Sequence, residues 1–300
     1  MITKPFKGKA IYNPSGKAGE YSYWACNFYV GCSNNCTYCY LKKGVLSHVW
    51  SLKTNLKKCF RDEDHAIDVF EKELMQNLSE LQECGLFFSF TTDPFLDLTM
   101  DLTLFAMKKC LDNGVKVKVL TKNAENPLFA FIGCSGLTTM GGVMQNYFSD
   151  HRNMIAIGFT LTGNDELEPN ASPNSERIKA MQLLHEAGFK TWASIEPIID
   201  IEDSKEMIRQ TVGWCDLYKI GLESGKTYNK TKLIQFVEWC NQAYITKAQN
   251  GFYFQKNYFK DSLLKQAGIN REELPNNCVG RDYNIFLSRL RKGEIISVRL

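Results

Sequence analysis

The amino-acid sequence predicts an α/β fold, a partial (β/α)6 TIM-like barrel with a C-terminal extension. Short apolar runs alternate with helical patterns along most of the chain, and this alternation stops after Ser224. Repeated βα units imply a parallel sheet with right-handed crossovers. Six units are too few for a closed eight-stranded barrel, and a doubly wound open sheet is the alternative arrangement.

The predicted elements follow one another in a regular order. The strand candidates are residues 23–30, 86–90, 115–120, 154–161, 189–195 and 216–222. The helical patterns are residues 62–84, 99–113, 175–187 and 203–215. Gly114 and Gly188 end two of these helices, as glycine commonly does.

Two regions depart from the alternation. Residues 131–150 lengthen the connection after the third strand, either as a lid or substrate loop or as a plain surface insertion. After Ser224 a further helix is predicted, with its apolar face formed by Leu233, Phe236, Val237, Cys240 and Tyr244. The chain is therefore divided into an N-terminal arm (1–20), a partial barrel (21–225) and a C-terminal helical and extended segment packed on the barrel (226–300).

The composition is that of a globular protein, with 44% hydrophobic and 23% charged residues among 300. Neither an apolar run long enough to span a membrane nor a secretory leader is visible, so a cytoplasmic location is expected. In that compartment the 11 cysteines are not expected to form a disulfide framework. The net charge is only +3, and the basic excess lies in residues 256–300.

Three cysteines lie close together in GCSNNCTYCY, at Cys32, Cys36 and Cys39, with the spacing C-x3-C-x2-C. A structural zinc site uses four ligands, so zinc would need a further ligand from elsewhere in the chain. Cysteine thiolates also hold iron–sulfur clusters. A four-iron cluster bound by three cysteines leaves one iron open to a substrate or cofactor, much as a catalytic metal site does.

The motif resembles the signature of the radical S-adenosylmethionine (radical SAM) superfamily, which has this spacing, an aromatic residue before the last cysteine and a preceding strand. The resemblance implies a [4Fe-4S] cluster on Cys32, Cys36 and Cys39, with S-adenosylmethionine bound to the open iron. It further implies an external electron donor of flavodoxin or ferredoxin type and a 5′-deoxyadenosyl radical as the reactive product.

The same resemblance assigns cofactor contacts to residues at successive strand ends. Tyr38 matches the aromatic position near the adenine, and Thr92 and Asp93 in TTDP match a segment that binds the amino group. Lys122 in LTKN suits the carboxylate as a point charge. Thr160 in FTLT matches a contact position, and Glu196 in IEP points to the same edge of the sheet.

Within the superfamily the chain is most similar to spore photoproduct lyase and its relatives of unassigned substrate. The shared pieces are GC-x3-C-x-YCY, TTDP, LTK, FTLT, the Glu168 and Arg177 pair, and AGFKTWASIEPI. The lyase carries a hydrogen-donating cysteine before its TSD segment, where this chain has Phe90. Dimer repair by the lyase route is therefore not expected. Cys134, in the inserted loop, is a candidate substitute thiol, but an incidental loop thiol is the favoured interpretation.

Three functions follow from these observations. The first is a radical SAM enzyme acting on an unknown substrate, possibly nucleic acid, because the C-terminal segment is basic and aromatic. The second is a radical SAM modifier of a peptide or protein, or a glycyl-radical activase. The third is a non-catalytic iron–sulfur or zinc binding module without radical chemistry.

Overall fold

An eight-stranded sheet lies at the centre of the computed structural model, which describes residues 5–133, 141–242, 246–248, 251–253 and 256–287. The strands are β1 (Ile11–Tyr12), β2 (Ala25–Cys26), β3 (Leu86–Phe88), β4 (Val117–Thr121), β5 (Ile155–Thr160), β6 (Lys190–Ile198), β7 (Leu217–Leu222) and β8 (Asn257–Phe259). Each strand lies beside its predecessor; β2 to β8 run parallel, and β1 is antiparallel to β2.

Helices connect the parallel strands. They are α1 (Gly16–Gly19), α2 (Glu63–Gln76), α3 (Leu78–Cys84), α4 (Met100–Asp112), α5 (Glu125–Ile132), α6 (Gly141–Asp150), α7 (Asn174–Glu186), α8 (Ile201–Thr211), α9 (Lys230–Asn241) and α10 (Asp261–Ala267). Several begin at a capping side chain: Asp62 caps α2, Asp200 caps α8 and Asn229 caps α9.

The predicted α/β fold with a partial, open barrel is confirmed. Helices α2 to α10 all contribute buried side chains to one face of the sheet, as repeated right-handed crossovers require. The opposite face forms a separate small core of Ala25, Phe87, Ala156, Trp192, Leu217, Tyr258 and Ile285. Within the described ranges no hydrogen bonds join β1 to β8, so the barrel is not closed.

The first predicted strand, 23–30, is divided in the structure. The sheet strand ends at Cys26, and Tyr29–Val30 pairs instead with Asn55–Leu56. Asn27 lies at the break, and its backbone amide still donates to the Ala10 carbonyl at 3.1 Å. Its side chain bonds towards two neighbouring segments: Oδ1 accepts from the Phe90 amide at 2.8 Å and Nδ2 donates to the Tyr12 hydroxyl at 2.7 Å. The chain thereby leaves the sheet just before the cysteine motif.

Two other elements differ from the expectation. The predicted helix 62–84 is two helices separated at Asn77, whose side chain donates to the Glu73 carbonyl at 2.8 Å. The C-terminal segment adds a seventh parallel strand, β8, beside β7. Residues 134–140, with Cys134, and Tyr244 lie outside the described residues, and α6 covers 141–150 of the predicted insertion.

No helix in the described ranges combines the length and the apolar character needed to cross a bilayer.

Candidate cofactor-binding site

A cavity of about 350 Å³ opens at the carboxyl ends of the parallel strands. Its lining includes every residue predicted to bind the cluster or the cofactor: Cys32, Cys36, Cys39, Tyr38, Thr92, Asp93, Lys122, Thr160 and Glu196. These side chains come from the motif loop and from the ends of β3, β4, β5 and β6. The topology therefore brings the predicted set together, while the role of each member as a ligand stays a prediction.

The cysteine loop is fixed by backbone contacts on both sides. The amide of Cys32 donates to the Ser51 carbonyl at 2.9 Å, and the amide of Thr37 donates to the Leu167 carbonyl at 2.9 Å. Asn170 adds a side-chain bond to the Ser33 carbonyl at 2.8 Å. The loop is thus held in place by two distant parts of the chain.

Gly31 begins this loop with a left-handed backbone, φ = 79°. A Cβ at this position would lie 2.4 Å from the carbonyl oxygen of Lys53, so the loop could reach its place only with glycine.

Gly31→Ala is therefore expected to lower iron incorporation severalfold after anaerobic reconstitution, because Cys32 is displaced while the core is untouched. Iron content and far-UV circular dichroism measure the two effects. Gly225→Ala is the matched control, since Gly225 has φ = 85° with no atom near a Cβ. Equal iron content in the two variants would contradict the role assigned to Gly31.

Asp93 organises the site through both carboxylate oxygens. Oδ1 accepts from the Phe95 amide at 3.0 Å and the Thr121 hydroxyl at 2.6 Å. Oδ2 accepts from the Asn34 amide group at 2.9 Å and the Lys122 backbone at 2.7 Å. A carboxylate offers about four acceptor sites, so these four bonds use its capacity. Asp93 therefore joins the cysteine loop to the ends of β3 and β4, and its predicted contact with an amino group would have to displace a present bond.

Thr92 and Lys122 are two side chains of the predicted set whose polar groups have no hydrogen-bond partner in the described chain. The hydroxyl of Thr92 is buried and has no hydrogen-bond partner among the described residues. Lys122 Nζ has no ion pair there and lies 5.7 Å from the Tyr38 ring centre. Burial lowers the pKa of Lys122, but Cys36, Glu168 and Asp93 outweigh burial and raise the pKa above its usual value. The cavity thus presents an ammonium group without a direct partner.

Tyr38 is positioned by a buried charged pair. Its hydroxyl donates to Glu168 Oε1, and Arg177 Nη2 contacts Glu168 Oε2, with both charged side chains fully buried. Arg177 also donates to the carbonyl of Thr160 at 2.6 Å, at the end of β5. The Glu168 and Arg177 pair, which the sequence showed only as a resemblance, therefore connects the cysteine loop to the sheet.

The other end of the cavity is formed by Glu196 and its partners. Glu196 Oε2 accepts from the Tyr21 hydroxyl at 2.6 Å and pairs with Lys260 Nζ at 2.8 Å. Gly221 leaves room for this pair, since a Cβ there would lie 2.8 Å from both side chains. Tyr21 and Lys260 were not predicted, because each comes from a segment outside the βα series.

The donor set fits an iron–sulfur cluster chemically, because three thiols line one largely apolar cavity with room beside them. Burial raises the pKa of Cys32 to about 12 and raises the pKa of Cys36, so both are thiols in the protein alone. Within the described residues no three His, Cys, Asp or Glu side chains converge as a ready-made site for one ion. Ligands of a single zinc ion lie about 2.3 Å from it, whereas the thiolates of a cluster bind different irons and stand further apart.

Phe90 lines the same cavity, at the position where the lyase resemblance would place a thiol. Its ring stacks on Phe87 with centroids 4.5 Å apart, and its carbonyl accepts from Tyr40. An aromatic ring, and not a thiol, therefore forms the cavity wall at this position.

No protein-family profile matches the chain. An uncharacterised protein of Methanocaldococcus jannaschii is 25% identical over 221 residues, which cover 71% of this chain and 74% of that protein.

Two crystal structures of SuiB from Streptococcus suis, one of them bound to S-adenosylmethionine, are also similar. Each has a TM-score of 0.46 and 14% identity. They cover 79% and 86% of this chain, and the chain spans about half of SuiB, 51% and 54%.

Proposed function

We propose that this chain is a radical SAM enzyme that binds a [4Fe-4S] cluster and S-adenosylmethionine in the cavity at the carboxyl ends of the strands. The observation that supports it is the meeting of three C-x3-C-x2-C thiols with Lys122 and Thr92, both lacking partners in the described chain, in one cavity. When bound, the cluster would supply the electron that cleaves the sulfonium and yields a 5′-deoxyadenosyl radical.

The side chains divide the binding of such a cofactor among them. Cys32, Cys36 and Cys39 would hold the cluster as thiolates, releasing protons as it binds. Lys122 offers the cationic partner for a carboxylate, and the Thr92 hydroxyl offers an acceptor for an ammonium group. Tyr38, held by Glu168, provides an aromatic face beside them. Asp93 holds the cysteine loop and the end of β4 in place through its hydrogen bonds, and its neighbours would make the direct contacts with the cofactor.

The substrate is proposed to lie against the aromatic wall of the cavity, formed by Tyr40, Trp50 and Phe90. Aromatic faces of this kind suit a nucleobase, so a nucleic-acid substrate stays our first proposal and a peptide the alternative. Tyr258 and Phe259 of the C-terminal segment do not support this proposal, because both are buried in the fold. A flavodoxin- or ferredoxin-type protein is proposed as the electron donor.

Reconstituted protein, reduced anaerobically with dithionite in the presence of S-adenosylmethionine, is expected to form 5′-deoxyadenosine. Cys36→Ala is expected to abolish this product, because two thiolates cannot hold the cluster. Cys59→Ala is the matched control, since Cys59 is exposed and lies outside the cavity. Chromatography measures the product and iron analysis the cluster.

The same assay separates the alternatives. Formation of 5′-deoxyadenosine by the wild type and by Cys59→Ala, but not by Cys36→Ala, would support the proposal. Bound iron or zinc without any 5′-deoxyadenosine would establish a binding module instead. A rise in product on adding a single-stranded oligonucleotide, but not a peptide pool, would support the nucleic-acid substrate.

A further inference from the structure

A second and larger cavity, of about 900 Å³, opens at the amino ends of the strands. Its lining residues include Lys116 and Lys118 at the start of β4, Leu217 and Lys219 in β7, and Trp192 in β6. The segment 281–286 contributes to its wall. None of the predicted site residues lines it, although Tyr21, the partner of Glu196, lines both this cavity and the cofactor cavity.

Two lysines face this cavity without a counter-charge. Among the described residues, Lys118 Nζ has one long hydrogen bond, 3.5 Å to the Cys84 carbonyl. Lys219 Nζ donates to the carbonyls of Glu20 and Tyr21, both at 2.9 Å, and lies 5.1 Å and 5.3 Å from the ring centres of Tyr21 and Tyr258. Glu20 and Glu196 attract its charge, but neither forms an ion pair with it in the described chain. A cation removed from bulk water is costly unless it is paired, so both lysines are open to an anion.

Titration behaviour agrees with that geometry. Burial lowers the pKa of Lys118 to about 8. Burial also lowers the pKa of Lys219 well below its usual value, with Lys118 and Lys260 adding repulsion. An anion placed between Lys118 and Lys219 would reverse both effects.

The carboxylates near these lysines are occupied or peripheral. Glu20 accepts from the Tyr258 hydroxyl at 3.0 Å and from the Asp261 amide at 2.8 Å. Asp282 accepts from Tyr23, and Glu80 and Glu83 are exposed at the rim. The chain itself therefore supplies no anion to the interior of this cavity in the part that the structure describes.

Two neutral groups in the wall also lack partners. The indole nitrogen of Trp192 and the hydroxyl of Ser22 are buried without a hydrogen bond in the described chain, and both residues line the cavity. Their side chains belong to residues that are 3% and 4% exposed. Buried polar groups are nearly always satisfied in native proteins, so unsatisfied ones facing a cavity indicate a missing polar occupant.

We propose that this cavity binds a small organic anion with a flat apolar part, of the size of a mononucleotide. Lys118 and Lys219 would receive its negative charge, and Trp192 and Ser22 would hydrogen-bond its polar atoms. The aromatic walls, formed by Phe87, Tyr283 and Phe286, suit a planar ring. The volume lies within the range of small-molecule and cofactor sites. The site is independent of the function proposed above.

The probe for this site is adenosine 5′-monophosphate, titrated calorimetrically into the full-length protein at constant ionic strength. Wild type is expected to bind it saturably, and adenosine much more weakly because adenosine carries no charge. Lys118→Met is expected to weaken binding about tenfold to a hundredfold. Lys118→Met should fold, because the change removes a buried charge that has no ion pair in the described residues.

Lys265→Met is the matched control, since Lys265 is an exposed lysine outside the cavity. Cys36→Ala is expected to bind the nucleotide as wild type does, which separates this proposal from the cofactor site. Absence of saturable binding to wild type would overturn the proposal. Equal affinity for adenosine, or equal losses in Lys118→Met and Lys265→Met, would overturn it as well.

Discussion

Arg177→Met is expected to lower the free energy of unfolding by about 3–5 kcal/mol, the cost of leaving one member of a buried ion pair alone. Both Arg177 and Glu168 are fully buried, and methionine supplies neither charge nor hydrogen bonds. The carbonyl of Thr160 loses its bond from the guanidinium at the same time. This loss is large relative to the stability of an ordinary domain.

Urea unfolding followed by circular dichroism measures this change in the protein without cofactors. Lys109→Met is the control, because Lys109 pairs with Glu71 on the surface, where both side chains are about 40% exposed (41% and 42%). That loss should stay under about 1 kcal/mol. The double variant Arg177→Met with Glu168→Gln should recover part of the stability, since no buried carboxylate is left unpaired. A loss in Arg177→Met no larger than in Lys109→Met would contradict the prediction.

The fold was largely predictable because helices and strands with one buried face leave a periodic pattern. The strands β3 to β7 are apolar runs long enough to be seen in the sequence, and parallel topology follows from their alternation with helices. Strand β8, Asn257–Phe259, was missed because lysines flank it on both sides and it is not part of a longer apolar run. It begins with an asparagine, which local preference disfavours and which is accommodated by a buried bond to the Cys240 carbonyl.

The candidate site was predictable to the extent that parallel strands end at one edge. That rule gathered Thr92, Lys122, Thr160 and Glu196 into one cavity without knowledge of their contacts. It could not show which of them are free, because this depends on donors brought from elsewhere in the chain. The carboxylate of Asp93, for example, already accepts hydrogen bonds from Asn34 in the cysteine loop and from Thr121 in β4.

The contacts of Tyr21 and Lys260 with Glu196 could not be predicted for the same reason. Both residues are far from Glu196 in the sequence and contact it only in the folded barrel, so no local spacing relates them. The large cavity at the amino ends of the strands could not be predicted either, since the alternating lysines in residues 115–120, VKVKVL, are typical of a solvent-exposed strand face. The structure turns Lys118 from that run into the interior of the barrel.

Lys122→Met is expected to weaken S-adenosylmethionine binding about tenfold to a hundredfold, the effect of a lost hydrogen bond to a charged group. Lys122 Nζ has no ion pair in the described chain, so its ammonium group is available to the carboxylate of the ligand. For the same reason the apoprotein should not lose stability, because methionine removes a partly buried cation that has no salt bridge there. A purely structural lysine would show the opposite pattern.

Equilibrium dialysis with anaerobically reconstituted protein measures the affinity, and Lys53→Met is the control because Lys53 is exposed and outside the cavity. Decarboxylated S-adenosylmethionine tests the assignment directly. Wild type should prefer the carboxylated ligand, whereas Lys122→Met should bind both alike, since only the partner of the carboxylate has been removed. If Lys122→Met kept the wild-type preference, the carboxylate would have to be bound elsewhere in the cavity, and the orientation proposed for the cofactor would be wrong.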